Sequence, residues 1–413
     1  MRKILKIADF MIYWSVIIMP FSVVIAPGVA NAFIGIFSVF YILKKVIKRE
    51  SPKINKWVLL SFLCIILASL ASFINSVSYG TSFQGIIKLL KYLLILLVCG
   101  EEIRDRKHVV RIVTSICCGV VFISIDAFWQ FYLGQDFVHG IAVHYNIGLR
   151  RASASFPDPN VFGVYMSALI PLVVGLTLLY FKGKQRVFMI LPVVLGLLGA
   201  FLTFARGTGL AIFVTTLFLC IVGRKKWLIV GLIAILVIFP FVMPKNIKKW
   251  AKEVNYNPIV FMLNYDRLSI YRNTFNMIKH HPIVGVGVNT YIKNYAKYKF
   301  PEKDYEQTGD SIYAHNSFMQ LTAELGLLGL VSFLWFLFEV FKLGINTYRK
   351  LKDDYLRVIV LSVIACIISF LVNGLTETSL YYPRVVMVFW YLIGIILSLS
   401  RFTDKVCCNK AKT

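Results

Sequence analysis

About a dozen apolar runs, most of them roughly 20 residues long, follow one another along this chain with short polar connections between them. A helix of that length spans a bilayer core of about 30 Å, and backbone in lipid must satisfy its own hydrogen bonds. The chain is therefore expected to be an all-α polytopic membrane protein, a single integral membrane domain over residues 1–413. Spans are predicted near 8–27, 29–43, 57–77, 83–99, 109–133, 159–181, 186–204, 207–222, 226–243, 315–341, 355–375 and 384–400. With 58% hydrophobic and 16% charged residues, little material is left for a separate soluble domain.

The net charge of +25 does not point to nucleic acid, because Lys and Arg fall in short clusters between apolar runs. Clusters at Lys44–Arg49, Arg104–Lys107, Lys182–Arg186, Arg224–Lys226 and Arg349–Lys352 all fall on one side of the predicted bundle. Taking that side as cytoplasmic puts both termini inside, in agreement with Arg2–Lys6 and Arg401–Lys412. The apolar run from Ala8 to Ile25 is long for a signal peptide and leads straight into another span, so it is read as an uncleaved first helix. Six cysteines lie in apolar spans and Cys407 and Cys408 in the tail, with neither disulfide nor zinc spacing.

Two outer connections are then more than short turns: one around 134–158, and a long, partly helical one over 244–314. The long one is basic, with Lys245, Lys248, Lys249, Lys252, Arg267, Arg272, Lys279, Lys293, Lys297, Lys299 and Lys303. An anionic ligand at the membrane surface is the simplest reason, and attraction to anionic lipid is the alternative. Leu268, Tyr271, Phe275 and Ile278 predict one apolar face of a short helix that stops at His281-Pro282. Gly285 and Gly287 beyond it are a weak phosphate-loop signal.

Four arginines are expected at the outer boundary: Arg151, Arg206 in Thr-Phe-Ala-Arg-Gly, Arg267 and Arg384. Guanidinium forks match phosphate oxygens, so several converging there would clamp a diphosphate; interfacial snorkelling is the bland reading. Arg206 is the most telling, since it sits in a turn of almost no length and should need an anionic partner. His315 at the water boundary is the general-base candidate. Below it Asn316, Gln320 and Glu324 recur every four residues, a polar stripe that must face protein or a wet cavity. Glu377 could orient an arginine or the histidine. His139, His144, His280 and His281 are read as surface residues. Lys88 and Lys91 in the fourth span and Asp126 in the fifth should line an interior cavity or pair with one another.

At these residues the chain resembles the O-antigen ligase/O-antigen polymerase superfamily of bacterial membrane glycan transferases. The resemblance rests on Arg151–Phe156 with Asp158-Pro159-Asn160, Thr203–Gly207, Arg267–Gly287, and His315-Asn316 with Glu324–Gly329; most of it lies within 150–345. Ala154 stands where that family usually has glycine, and Ala205 where Ser or Thr is common. The resemblance implies transfer of a glycan from an undecaprenyl diphosphate carrier to an acceptor sugar hydroxyl, on the periplasmic face of the bacterial inner membrane, with no metal or other cofactor. His315 would be the base and Arg206 and Arg267 the foremost diphosphate ligands, helped by Arg151 and Arg384. The acceptor is expected to be lipid A–core, which defines a ligase; a carrier-linked glycan, which defines a polymerase, is the alternative. A transporter or flippase of a lipid-linked sugar is the competing class, with Lys88, Lys91 and Asp126 in its favour and no duplicated halves to support it.

Overall fold

The computed structural model describes residues 1–146, 148–242, 245–253, 255, 257–300 and 312–410. Pro244, Lys303 and Lys412, and with them 301–311 of the expected long loop, lie outside those residues. The helices are α1 (Arg2–Ile25), α2 (Pro27–Lys48), α3 (Lys56–Ala71), α4 (Tyr79–Glu102), α5 (Arg106–Leu133), α6 (Pro159–Leu179), α7 (Gly183–Phe201), α8 (Arg206–Val222) and α9 (Lys226–Val242). They continue with α10 (Lys245–Glu253), α11 (Pro258–His280), α12 (Tyr291–Tyr298), α13 (Ser317–Lys350), α14 (Asp354–Asn373) and α15 (Pro383–Lys410).

Ten helices among the described residues are long and apolar enough to cross a membrane. The shorter α8 and α9 fall at the other two expected spans. The bundle is built around α6, whose apolar stretch is 94% buried, with α14 and α15 beside it. Small residues let these helices approach: a Cβ on Gly175 of α6 would meet the Ser362 hydroxyl of α14 at 2.0 Å. Within the 134–158 connection, β1 (His144–Asn146) and β2 (Leu149–Arg151) form a small antiparallel hairpin, pairing Tyr145 with Arg150.

The long connection between α9 and α13 carries its own small core of Ile270, Met277, Val286, Tyr291, Tyr295 and Tyr298. This corrects the expected face of α11: Phe275 is 53% exposed, and the buried row is Ile270, Asn273, Thr274 and Met277. The two polar members of that row are satisfied by tyrosines, Thr274 Oγ1 lying 2.6 Å from the Tyr291 hydroxyl and Asn273 Nδ2 donating to Tyr295 at 2.9 Å. The helix does end at His280, with His281 as its cap.

α13 is broken at Gly326 (φ 64°), leaving a short piece that starts at Ser317 and a long one that runs to Lys350. Residues 282–287 enter that break. Val286 and Gly287 donate to the carbonyls of Ala323 and Glu324 at 2.9 and 3.0 Å, while Leu327 and Leu328 donate to Pro282 and Ile283 at 2.8 and 3.2 Å. The approach leaves no room for a side chain, since a Cβ on Gly285 would lie 2.3 Å from the Glu324 carbonyl. Gly285 is thus a packing residue, which accounts for the weak phosphate-loop signal in that stretch.

Candidate active site

The turn between α7 and α8 begins the site. Thr203 Oγ1 donates to Ala200 at 2.6 Å and accepts from the Ala205 N–H at 3.1 Å, which folds the chain so sharply that Phe204 takes a left-handed φ of 48°. Arg206 thereby becomes the first residue of α8. Its guanidinium reaches across to α11, donating to the Phe261 carbonyl and, at 2.8 Å, to Asn264 Oδ1. Asn264 is where α11 breaks, with φ 63° and ψ 159°.

Arg151, at the end of β2, donates to the Thr203 carbonyl at 2.7 Å and to Asn160 Oδ1 at 2.6 Å. Asp158 caps α6 beside it, accepting the Asn160 N–H at 2.7 Å. The three family-like pieces at 151, 158–160 and 203–207 are therefore one structural unit. Burial lowers the Arg151 pKa, opposed by Asp158 and Glu377.

Three residues beyond the break, Arg267 donates to the Thr376 carbonyl at 2.7 Å and forms an ion pair with Glu377. The other oxygen of Glu377 lies 3.2 Å from His315 Nδ1 and accepts the Tyr382 hydroxyl at 2.9 Å. Glu377 is 4% exposed. Burial alone would raise its pKa, but Arg267, with help from His315 and Tyr382, holds it down to about 2. Arg267 shifts the other way: burial disfavours its charge, yet Glu377 more than offsets this and raises it.

His315 itself has a left-handed φ of 47°, an uncommon conformation for a residue with a side chain. It is held on both sides. The Tyr271 hydroxyl lies 3.0 Å from the carbonyls of both His315 and Leu375, and Asn316 caps α13 while donating to Leu375 at 3.1 Å. With Nδ1 turned to the carboxylate, Nε2 is the nitrogen left to accept a proton.

Arg151, Arg206, Arg267 and Glu377 lie within electrostatic reach of one another. Arg384 stands apart: it donates to Ser155 at 2.7 Å, packs over the Phe156 ring, and makes no contact with Glu377 or His315. The polar stripe is satisfied by protein. Gln320 Oε1 accepts the Ala314 N–H at 3.2 Å, and Glu324 accepts the N–H groups of Asn289 and Tyr291 at 2.7 and 3.2 Å, at the start of α12.

Asp126 accepts the Phe137 N–H at 2.9 Å and shapes the 134–158 connection. It neither pairs with Lys88 or Lys91 nor lines their cavity, contrary to the sequence expectation. The physical reason is local, because an unpaired backbone N–H of its own following loop is the nearer partner. Sequence reasoning missed Tyr382, Asn264 and the Tyr271 hydroxyl. Only Asn264 carries a local cue, since asparagine is enriched among non-glycine residues at positive φ.

Residues 191–334 match the family model described as O-antigen ligase. That segment belongs to the O-antigen ligase/polymerase superfamily. No curated protein matches the chain. The O-antigen ligase segment holds Arg206, Arg267 and His315, while Arg151 and Glu377 come from outside it on either side. At family level the match over that segment supports an O-antigen-ligase-like membrane glycosyltransferase.

Proposed function

We propose that the protein moves a glycan from undecaprenyl diphosphate to a sugar hydroxyl of lipid A–core, on the outer face of the bacterial cytoplasmic membrane. The observation that carries this reading is the single carboxylate of Glu377 holding a guanidinium on one oxygen and an imidazole on the other. His315 Nε2 takes the proton of the acceptor hydroxyl, whose oxygen attacks the anomeric carbon. The bond from that carbon to the carrier diphosphate breaks, and the departing oxygen takes the electron pair. Glu377 stays ionised, fixes the imidazole and stabilises the imidazolium that forms. Arg206, Arg267 and Arg151 meet the charge developing on the diphosphate.

A transporter reading would draw on helix ends freed at a break in the bundle. At Gly326 those ends are taken by residues 282–287, which favours transfer over transport. The test is His315→Ala in membranes supplied with carrier-linked glycan, with transfer and protein abundance measured together. Transfer should be abolished and abundance kept; preserved transfer removes the imidazole from the mechanism. Supplying carrier-linked glycan without lipid A–core separates ligase from polymerase, since only a polymerase lengthens the carrier-linked chains.

A further inference from the structure

Lys88 and Lys91 stand nine and twelve residues past Tyr79 in α4, which places them roughly 14 and 18 Å along the helix. An ammonium group at that depth is costly unless it is compensated. Among the described residues their hydrogen-bond partners are amides, Lys88 donating to Asn289 Oδ1 at 2.9 Å and Lys91 to Asn31 Oδ1 at 3.2 Å, and the Lys91 ammonium also lies 5.3 Å from the centre of the Tyr92 ring. Neither forms an ion pair with a carboxylate among the described residues. One turn apart on the same helix, they also repel each other.

Both line a cavity of about 120 Å³, far larger than the roughly 10–15 Å³ one water needs. Its walls include Tyr92, Asn289, Glu324, Tyr381 and Trp390. Glu324 is not the missing counter-charge, because it is 2% exposed and committed to the backbone at the start of α12. Beside the lysines on α4, Phe83, Ile87 and Leu90 are 61%, 51% and 46% exposed and form an apolar strip. An anion reaching the lysines along this strip arrives most readily with hydrocarbon attached.

We propose that Lys88 and Lys91 form a second anion site that seats the phosphate of the lipid-anchored acceptor. This rests on the glycan-transfer reading above. The placement suits two lipid substrates: the short first piece of α13 joins His315-Asn316 to Glu324 on the cavity wall, about 12 Å along its axis. The donor diphosphate then lies with the arginines, and the acceptor phosphate lies one short helix away. The acceptor's sugar bridges back to the imidazole.

The test uses the full chain in neutral phosphatidylcholine nanodiscs with three probes: lipid A, undecaprenyl diphosphate and inorganic phosphate. Lys88→Gln with Lys91→Gln should weaken lipid A binding about tenfold, leave undecaprenyl diphosphate within about twofold, and raise KM for the acceptor at unchanged kcat. The Arg pair at both positions should retain lipid A binding, which separates loss of charge from misfolding. Unchanged lipid A affinity overturns the site, as does loss of undecaprenyl diphosphate binding, which would give the lysines to the donor. Inorganic phosphate competing with lipid A at comparable concentration overturns the lipid assignment. The binding arms need no turnover, so a failure of His315→Ala to abolish transfer reads separately from a failure of the lysine site.

Discussion

Two buried charge networks sit at opposite ends of this bundle, and they are built on different terms. At the end where α2 and α4 finish, Lys44 lies 2.7 Å from both Asp9 and Glu102, Lys45 lies 2.5 Å from Glu101, and Arg104 pairs with Asp9 and Glu102. Three cations face three carboxylates, so the network is complete without a ligand. At the other end Arg151, Arg206 and Arg267 surround the buried carboxylate of Glu377, and Asp158 is occupied at the α6 cap. Among the described residues, guanidinium groups outnumber the carboxylates that face them there. A balanced network ties helices together; the unbalanced one is where the proposed carrier diphosphate would supply the missing negative charge.

Glu377→Gln breaks this contrast most severely. It leaves Arg267 buried without its partner, at a cost of about 3–5 kcal/mol, and frees the imidazole, so transfer per folded molecule should fall by about 10³–10⁴. Thermal stability in detergent and transfer assays read the two effects separately, and a variant that transfers normally would reduce Glu377 to a structural tie. The pH dependence has a definite sign. Glu377 titrates at about 2 in the folded chain against an ordinary 4.5, so its stabilisation is full above about 4.5 and is lost as pH falls from there toward 2. The margin of the native chain over Glu377→Gln should stay level from pH 8 to 5 and shrink below 4.5.

Lys44→Met tests the balanced end. Asp9 and Glu102 keep Arg104, so the loss should be nearer 2–3 kcal/mol than the full cost of an orphaned buried charge. Transfer per folded molecule should not change. A fall in transfer out of proportion to the stability loss would mean that the two ends are coupled through α4, and that the first network does more than hold helices.

How far each network could be read from sequence follows from the range of its interactions. Spans and basic clusters are local properties, and so is the placing of Arg206 and His315 at apolar boundaries. Glu377 could be suspected but not assigned, because its partners lie 110 and 62 residues away in the chain. The buried face of α11 differs from its apolar periodicity for the same reason: Asn273 and Thr274 bury through tyrosines of another helix, which no periodicity of apolar residues can show. Gly285 is equally opaque, since its neighbour is the break in α13 rather than a ligand. Arg384, similar to the other arginines in sequence, is drawn off by Ser155.

The smallest expected effect lies at the edge of the unbalanced network. Ala154 is fully buried with a left-handed φ of 49°, held there by Gln130 Oε1, which accepts the N–H groups of Ser153 and Ala154 at 2.7 and 2.8 Å. A Cβ in that conformation costs about 1–2 kcal/mol, part of which glycine returns through the greater freedom of its unfolded chain. Ala154→Gly should therefore stabilise the protein by about 0.5–1 kcal/mol, seen as a small rise in Tm, and leave Arg151 where it is. This is the position at which glycine was expected from the family resemblance, and the backbone supplies the reason. A fall in Tm would mean that packing of the methyl group outweighs the strain, and that the turn carrying Arg151 depends on that side chain.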